Sequence, residues 1–395
     1  MIEVDVTRRL GRFALDVRFS CPASGVVALF GRSGAGKTTL VNLIAGLDRP
    51  DEGRIVIGGR TLFDSARGID LPPEKRRLGY VFQDARLFPH LSVAGNLRYG
   101  MRGRAAGDNP VEFGQVVDLL GLEGLLEGRP HRLSGGERQR VAIGRALLAS
   151  PRLLLMGEPL ASLDAPRKDE ILDFIERLRD ELDIPIVYVS HIMEEVIRLA
   201  DDIVVMSEGR VAAVGAVEDI TSRLDLRPLT GRHEAGAVLP ARVEGHDDAF
   251  DLTYLAVPGG RLSVSRLDLE IGAALRVRVR ARDVSLALEP PRRSSVLNVF
   301  HGVVADIGAE SGPQVDVLIH IGDAGGDAGG DGGTTSPLWA RITRKSVHLL
   351  GLAPGTPVYA LVKSVALDRH SLGRGAAGGR FEVGAPGDGP SRSVK

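Results

Sequence analysis

Cysteine is almost absent: Cys21 is the one thiol in 395 residues, so no disulfide can form within the chain and a reducing compartment suits it. Tryptophan also occurs once, as Trp339, and aromatic residues make up 4% of the chain, too few for the stacking platforms on which single-stranded nucleic acids are held. Neither sign of charge dominates, with 50 Lys and Arg against 51 Asp and Glu, so the electrostatic footprint of a nucleic-acid binder is missing. No stretch approaches the ~18 apolar residues of a membrane span. Met1-Ile2-Glu3-Val4-Asp5 has neither the basic flank nor the apolar core of a secretion signal. These absences predict a cytoplasmic protein. At 43% hydrophobic residues over this length, there is apolar material for more than one core, and two unequal domains are expected.

What is present begins with Gly31-Arg32-Ser33-Gly34-Ala35-Gly36-Lys37-Thr38, which fits the pattern G-x-x-x-x-G-K-[ST]. It follows Val26-Val27-Ala28-Leu29-Phe30, an apolar run that predicts a buried strand. Small residues at these spacings let backbone N–H groups curl around a β-phosphate, and a helix starting near Gly36 points its positive end at the same charge. Lys37 is placed to bridge β- and γ-phosphates, Thr38 to give a hydroxyl to magnesium, and Thr39 to hydrogen-bond the α-phosphate. Downstream, Leu133-Ser134-Gly135-Gly136-Glu137 precedes Val141, Ala142, Arg145, Ala146 and Ala149 at helical spacing, so Ser134, Gly135 and Gly136 sit at a helix N-terminus, itself an anion site. Two further apolar runs predict strands: Leu153 to Gly157, followed by Glu158-Pro159, and Ile186 to Ser190, followed by His191.

In this order, with Val81-Phe82-Gln83 and Ala161-Ser162-Leu163-Asp164, these stretches resemble the nucleotide-binding subunit of an ATP-binding-cassette transporter. The resemblance implies that hydrolysis needs two copies of the chain, with Ser134, Gly135 and Gly136 closing over the γ-phosphate held by the other. It further implies Glu158 as the general base for the attacking water, Gln83 as a magnesium ligand and γ-phosphate sensor facing the membrane partner, Asp164 on the dimer seam and His191 as the γ-phosphate switch. Phe13 is the nearest aromatic residue before the phosphate loop, and the resemblance offers it as the ring that stacks on adenine; a core role is the other reading. One position departs from the family: the strand ends Gly157-Glu158 where Asp-Glu is usual, so the carboxylate that steadies magnesium through its water shell is missing. A charged hydrogen-bond partner is worth roughly 1.5–3 kcal/mol, so the reading is a weakened enzyme or a plain one-codon change.

The expected first domain is α/β, a phosphate-loop NTPase of mostly parallel sheet over residues 1–227. A helical subdomain is expected at about 88–131, where Phe113, Val116, Val117 and Leu120 share one face. After a linker at 228–238, the chain alternates as short strands do, with Leu275, Val277, Val279 and Ala281 on one face and Arg276, Arg278, Arg280 and Arg282 on the other. This predicts a small all-β, OB-like barrel over 239–367. The arginine row is read as a solvated outer face, with an oligonucleotide face as the other reading. The run 322–336, rich in Gly and Asp, is expected as a flexible insert, and 368–395 as a disordered tail.

Two stretches here, Ser294-Ser295-Val296-Leu297-Asn298-Val299 and Val358-Tyr359-Ala360-Leu361-Val362-Lys363-Ser364, resemble the molybdate-binding barrel appended to ATPase subunits of molybdate importers. The run from Pro73 to His90 is close to the same subfamily, and the resemblance covers roughly 1–367. It implies that Ser295, Lys363 and Ser364 cradle a tetrahedral oxyanion, a set in which one cation and neutral donors match a dianion. The whole then implies a homodimer using ATP and Mg²⁺ at the cytoplasmic face of the inner membrane. It would work beneath permease subunits, and indirectly with a periplasmic or extracellular molybdate-binding protein, to import molybdate or tungstate. Sulfate or sugar import, or a nucleotide-gated regulator impaired in hydrolysis by Gly157, are the alternatives.

Overall fold

The computed structural model describes residues 1–103, 111–161, 163–182, 184–223, 225, 226, 229, 236–308, 312–322, 335–363 and 372–374. Two antiparallel strands open the chain, β1 (Ile2–Leu10) and β2 (Phe13–Cys21), each alternating buried and exposed residues as a half-buried sheet requires. They are followed by β3 (Val26–Phe30), buried at every position, and by helix α1 (Lys37–Ala45). Next come β4 (Glu52–Ile57), β5 (Arg60–Asp64), β6 (Ile69–Asp70), the short α2 (Pro73–Arg76) and β7 (Leu78–Val81). The helical region holds α3 (Val93–Gly100), α4 (Phe113–Leu119) and α5 (Gly135–Leu147). Strand β8 (Leu153–Gly157), α6 (Ala165–Glu181), β9 (Ile186–Ser190), α7 (Met193–Leu199), β10 (Asp202–Ser207), β11 (Arg210–Ala216) and α8 (Val217–Ser222) complete this part.

All these strands join one 11-stranded sheet, β6-β5-β4-β1-β2-β11-β10-β3-β9-β8-β7. The run from β10 to β7 is parallel, as alternating strands and helices predict; β1, β2, β4, β5 and β6 add an antiparallel flank. In the parallel part, Phe30 pairs with Ser190, Gly157 with Val189 and Val81 with Met156. The residues that follow these strand ends therefore emerge side by side along one edge, where ligands of open α/β sheets bind. At the opposite edge of the sheet, Arg76, only 2% exposed, fastens the C-terminal end of α1. Its guanidinium donates to the carbonyls of Leu43 (2.7 Å), Ile44 (2.8 Å) and Leu71 (2.6 Å) and pairs with Asp70 at 3.1 Å.

The second part is all-β, with the strands β12 (Gly236–Asp247), β13 (Leu252–Val257), β14 (Gly260–Ser265), β15 (Ala274–Arg280), β16 (Val284–Ala287), β17 (Asn298–Ile307), β18 (Gln314–Ile321), β19 (Ser336–Thr343), β20 (Pro357–Val362) and β21 (Leu372–Arg374). They form two five-stranded antiparallel sheets, β14-β13-β12-β15-β21 and β16-β20-β17-β18-β19, over one core that includes Leu239, Val277, Phe300, Val317, Trp339 and Val358. Asn298, fully buried, ties the sheets together: its side chain accepts from the Ser263 N–H (2.6 Å) and donates to the Ser263 carbonyl (3.0 Å).

Three details differ from expectation. β12 starts at Gly236, inside the expected linker, because it pairs with β15 from that residue on. Leu372–Arg374, expected in the tail, adds an edge strand against Leu275–Val277; three residues are too few to show a period. Third, Arg276 and Arg278 are not on a solvated or nucleic-acid-binding face. Both are 2% exposed and ion-paired with acidic residues of the first domain. Residues 323–334 of the expected insert and 375–395 of the tail lie outside the described residues, as do Ser162 and Ser364. Among the described residues, no helix is long and apolar enough to cross a membrane.

Candidate functional site

A cavity of about 720 Å³ opens at the sheet edge, lined among others by Phe13, Ser33, Lys37, Gln83, Gly157 and Glu158. The loop after β3 shapes one wall. Gly36 takes φ of 101° and caps α1 with no side-chain hydrogen bond; a Cβ there would come within 2.9 Å of the Phe13 ring, so glycine is what lets Phe13 close over the loop. Lys37 is 4% exposed. Its ammonium donates to the carbonyls of Gly31 (2.7 Å) and Arg32 (3.1 Å) and lies 3.5 Å from Glu158 Oε1. Gly34, Gly36, Thr38 and Thr39 also face the cavity. Arg32 and Ala35 do not; Ala35 is buried and accepts from the Gly209 N–H through its carbonyl (3.1 Å).

Glu158 is the hub. Its other carboxylate oxygen sits 3.2 Å from Nδ1 of His191, so the residues at the ends of β3, β8 and β9 meet in one Lys–Glu–His chain. The Glu158 backbone takes φ of 50°, a left-handed conformation that costs a non-glycine residue roughly 1–2 kcal/mol and is characteristic of functional sites. Behind His191, Glu195 accepts hydrogen bonds from the Tyr188 hydroxyl (3.0 Å) and the Ser190 hydroxyl (2.7 Å). Burial, then the neighbouring Glu195 carboxylate, pushes the Tyr188 phenol well above its ordinary range, so it remains a proton donor to Glu195.

Ser134 and Asp164 do not line this cavity. Ser134 caps α5 in a reciprocal box: its hydroxyl accepts from the Glu137 N–H (3.3 Å), and its own N–H donates to Glu137 Oε2 (2.7 Å). That backbone N–H draws the Glu137 carboxyl below its usual range. Gly135 instead lines a second, neighbouring cavity that Gln83 also borders, while Gly136 is buried in the first turn of α5. Asp164 caps α6, accepting from the Arg167 N–H at 3.2 Å. One chain thus assembles the phosphate loop, Gln83, Glu158 and His191 together and leaves Ser134 apart from them.

Several cavity residues carry no local signature in the sequence. Tyr80 and Phe82 stack with ring centroids 4.0 Å apart, and the Arg86 guanidinium lies 4.1 Å from the Phe82 ring centre; all three line the cavity beside Gln83. From α5, Gln139 donates to the Phe82 carbonyl (3.3 Å), and Arg145 donates to the carbonyls of Arg86 (2.9 Å) and Ala85 (3.1 Å). The helix that Ser134 starts therefore holds the loop that carries Gln83. Period-2 and period-3.6 patterns cannot show such contacts, because the partners are far apart in sequence.

Thr38, with its hydroxyl, and Gln83, with its amide oxygen, line the cavity, as do the carboxylate residues Asp84 and Glu158. Hard oxygen donors of this kind suit Mg²⁺ accompanied by phosphates, and no cluster of His, Cys, Asp and Glu suited to another metal occurs among the described residues. In the second domain, β17 and β20 pair Asn298 with Val362, which brings the segment holding Ser295 beside Lys363. Both side chains are exposed.

This fold and cavity define a phosphate-loop nucleotide-binding domain joined to an all-β domain. The family model for ABC transporters matches residues 15–161 and that for the TOBE domain residues 294–368. The chain is 51% identical to the molybdenum import ATP-binding protein ModC of Paramagnetospirillum magneticum, over 94% of this chain and 99% of that one. It is 52% identical to the same-named proteins of Rhodospirillum rubrum, over 94% and 98% of the two chains, and of Mesorhizobium japonicum, over 95% and 98%. The chain belongs to the family of molybdenum import ATP-binding proteins. A solved ATP-binding subunit of an ABC transporter aligns at 29% identity and a TM-score of 0.48, over 57% of this chain and 94% of that one.

Proposed function

We propose that this chain is the ATP-hydrolysing subunit of an importer that takes up molybdate, and tungstate by the same route, through a membrane permease. The observation that carries this reading is the convergence of Lys37, Gln83 and Glu158 on one cavity, with His191 held against Glu158, in a chain whose relatives are named for molybdenum import over nearly their whole length. Two copies pair head to tail, so that Ser134, Gly135 and Gly136 of one meet the nucleotide held by the other; Asp164 lies along the seam. The homodimer works at the cytoplasmic face of the inner membrane.

In each cavity the backbone of Gly31 to Gly36 cradles the β-phosphate. Lys37 exchanges Glu158 for a phosphate oxygen, which leaves the carboxylate available to take a proton from the attacking water. His191 holds the second oxygen of Glu158 and so fixes its orientation. Thr38 and Gln83 would hold magnesium, which when bound would neutralise charge on the transferring phosphoryl group. Gly157 leaves the metal's water shell without the carboxylate usual at that position. Ser295, Lys363 and Ser364 form the oxyanion site of the second domain, which restrains the cycle when cargo is plentiful.

The test is magnesium-dependent ATP hydrolysis by the purified chain, combined with equilibrium binding of molybdate against sulfate. Hydrolysis that Glu158→Gln abolishes, with molybdate bound well above sulfate, is the expected result. Equal binding of both anions would discard the cargo assignment. Gly157 favours a second reading, a nucleotide-gated clamp; turnover that appears only in Gly157→Asp would establish it.

A further inference from the structure

Helix α7 starts two residues after His191, and the second domain grips it at both ends. From β15, Arg278 donates through Nη1 to Oε1 of Glu194 in the first turn of the helix (2.7 Å). Two residues earlier on the same strand, Arg276 donates through Nη1 to the carbonyl of Ala200, the C-cap of the helix (2.5 Å). Arg276 also donates from Nε to Glu218 at the start of α8, and Asp201 lies 3.9 Å from its Nη2. Strand residues i and i+2 project from one face about 7 Å apart, and a seven-residue helix is about 10.5 Å long, so two arginines on one face suffice to bracket α7. At 2% exposure, both cations depend on these partners, because a buried charge without one is strongly unfavourable.

The same helix is also fixed by its own domain, through Glu195 to Tyr188 and Ser190 and through Lys168, 3.7 Å from the other Glu195 oxygen. His191 lies on the short link between Ser190, anchored by Glu195, and the first turn of α7, anchored by Arg278 through Glu194. The direction of the helix therefore sets where the imidazole meets Glu158. β21 packs against α7 as well, so the contact belongs to the sheet and not to two side chains alone.

We propose that Arg276 and Arg278 are positioning residues for ATP hydrolysis: by holding α7 at both ends they set the His191–Glu158 contact, making the placement of the second domain an input to the first domain's chemistry. The inference rests on the role given to His191 under Proposed function. It makes the strand β15, and not the linker between the domains, the route by which an occupied oxyanion site reaches the nucleotide.

The experiment uses the full chain with Arg278→Met, Glu194→Gln and the exchange Arg278→Glu with Glu194→Arg, each checked for folding by thermal melting. Glu194 is partly exposed, so its variant tests the idea even where the arginine variant folds poorly. Two readouts apply: kcat and KM for ATP, and the His191 signal in histidine-labelled NMR spectra, assigned by its disappearance in His191→Ala. The expected result is a kcat lowered roughly tenfold, as small misplacements of catalytic groups produce, with KM unchanged and the His191 signal displaced; the exchange restores both. A His191 signal that stays in place in Arg278→Met and Glu194→Gln overturns the inference, as does a rise in KM with kcat intact. If His191→Ala itself hydrolyses at the parent rate, the role of the histidine fails and the inference falls with it. If His191→Ala is inactive while Arg278→Met is not slowed, only the grip on α7 is refuted.

Discussion

Restoring a carboxylate at position 157 is the most discriminating perturbation of the cavity. A Cβ built on Gly157 lies 3.3 Å from Cε2 and 3.4 Å from Oη of Tyr80, and 3.7 Å from the Val81 carbonyl. The ring must therefore give by a few tenths of an ångström, and its hydroxyl, bonded to Asn42 at 3.2 Å, has room to follow. Removing a glycine from a strand end returns roughly 0.5–1 kcal/mol. Against that, a second negative charge beside Glu158 costs about 1 kcal/mol where water still screens it. These effects cancel to within about 1 kcal/mol, so Gly157→Asp is expected to melt within a few degrees of the parent without nucleotide. With magnesium and ATP the balance changes, because a charged hydrogen bond to the metal's water shell is worth roughly 1.5–3 kcal/mol, which is about ten- to a hundredfold. Steady-state hydrolysis measured against magnesium concentration should show half-saturation falling by that factor, and the melting point should rise further with MgATP than the parent's does. An unchanged magnesium dependence, in a variant that melts normally, would refute the reasoning that position 157 addresses the metal.

Other residues give simpler tests. Glu158→Gln should lower turnover by at least about a hundredfold while a fluorescent ATP analogue binds as before; retained turnover would remove Glu158 as the base. Arg76→Met should cost about 3 kcal/mol in denaturant unfolding, since it strands three carbonyls at the end of α1 and β6; a loss below about 1 kcal/mol would show that water replaces the guanidinium. Ser134→Ala removes one half of a capping box and should cost about 1 kcal/mol, with a far larger loss of turnover if the same residue serves the partner's nucleotide. Burial pushes the Cys21 thiol up to about 12, so it should resist thiol reagents at pH 8 in the native state and react fully in denaturant.

The phosphate loop and the parallel strands were legible in the sequence because each is local: five apolar residues, a glycine-rich turn and a lysine lie within 13 positions, Val26 to Thr38. The antiparallel flank was not, since β1 and β2 alternate apolar and polar residues that say nothing about which strand is the neighbour, and β4, Glu-Gly-Arg followed by Ile-Val-Ile, does not alternate at all. The arginines of β15 show the limit most clearly. Alternating Leu, Arg, Val and Arg reads the same whether the cations face water or the acidic residues of another domain, and the partners Glu194 and Glu218 lie 84 and 58 residues away. Phe82, Arg86, Gln139 and Arg145 escaped for the same reason, because their value comes from contacts across the fold. Ser134 was legible as a helix start, but its separation from the cavity is set by the tertiary fold.

The grip on α7 has a consequence for how the protein is made. Glu194 leaves the ribosome 84 residues before Arg278; at about 5–20 residues per second that interval is roughly 4–17 s. During it the nascent first domain holds its nucleotide loop, Glu158 and His191, yet lacks the strand that grips α7. On the positioning role proposed for that strand, synthesis of the last domain is the step that arms the first, and a chain released early is expected to bind nucleotide without being ready to consume it.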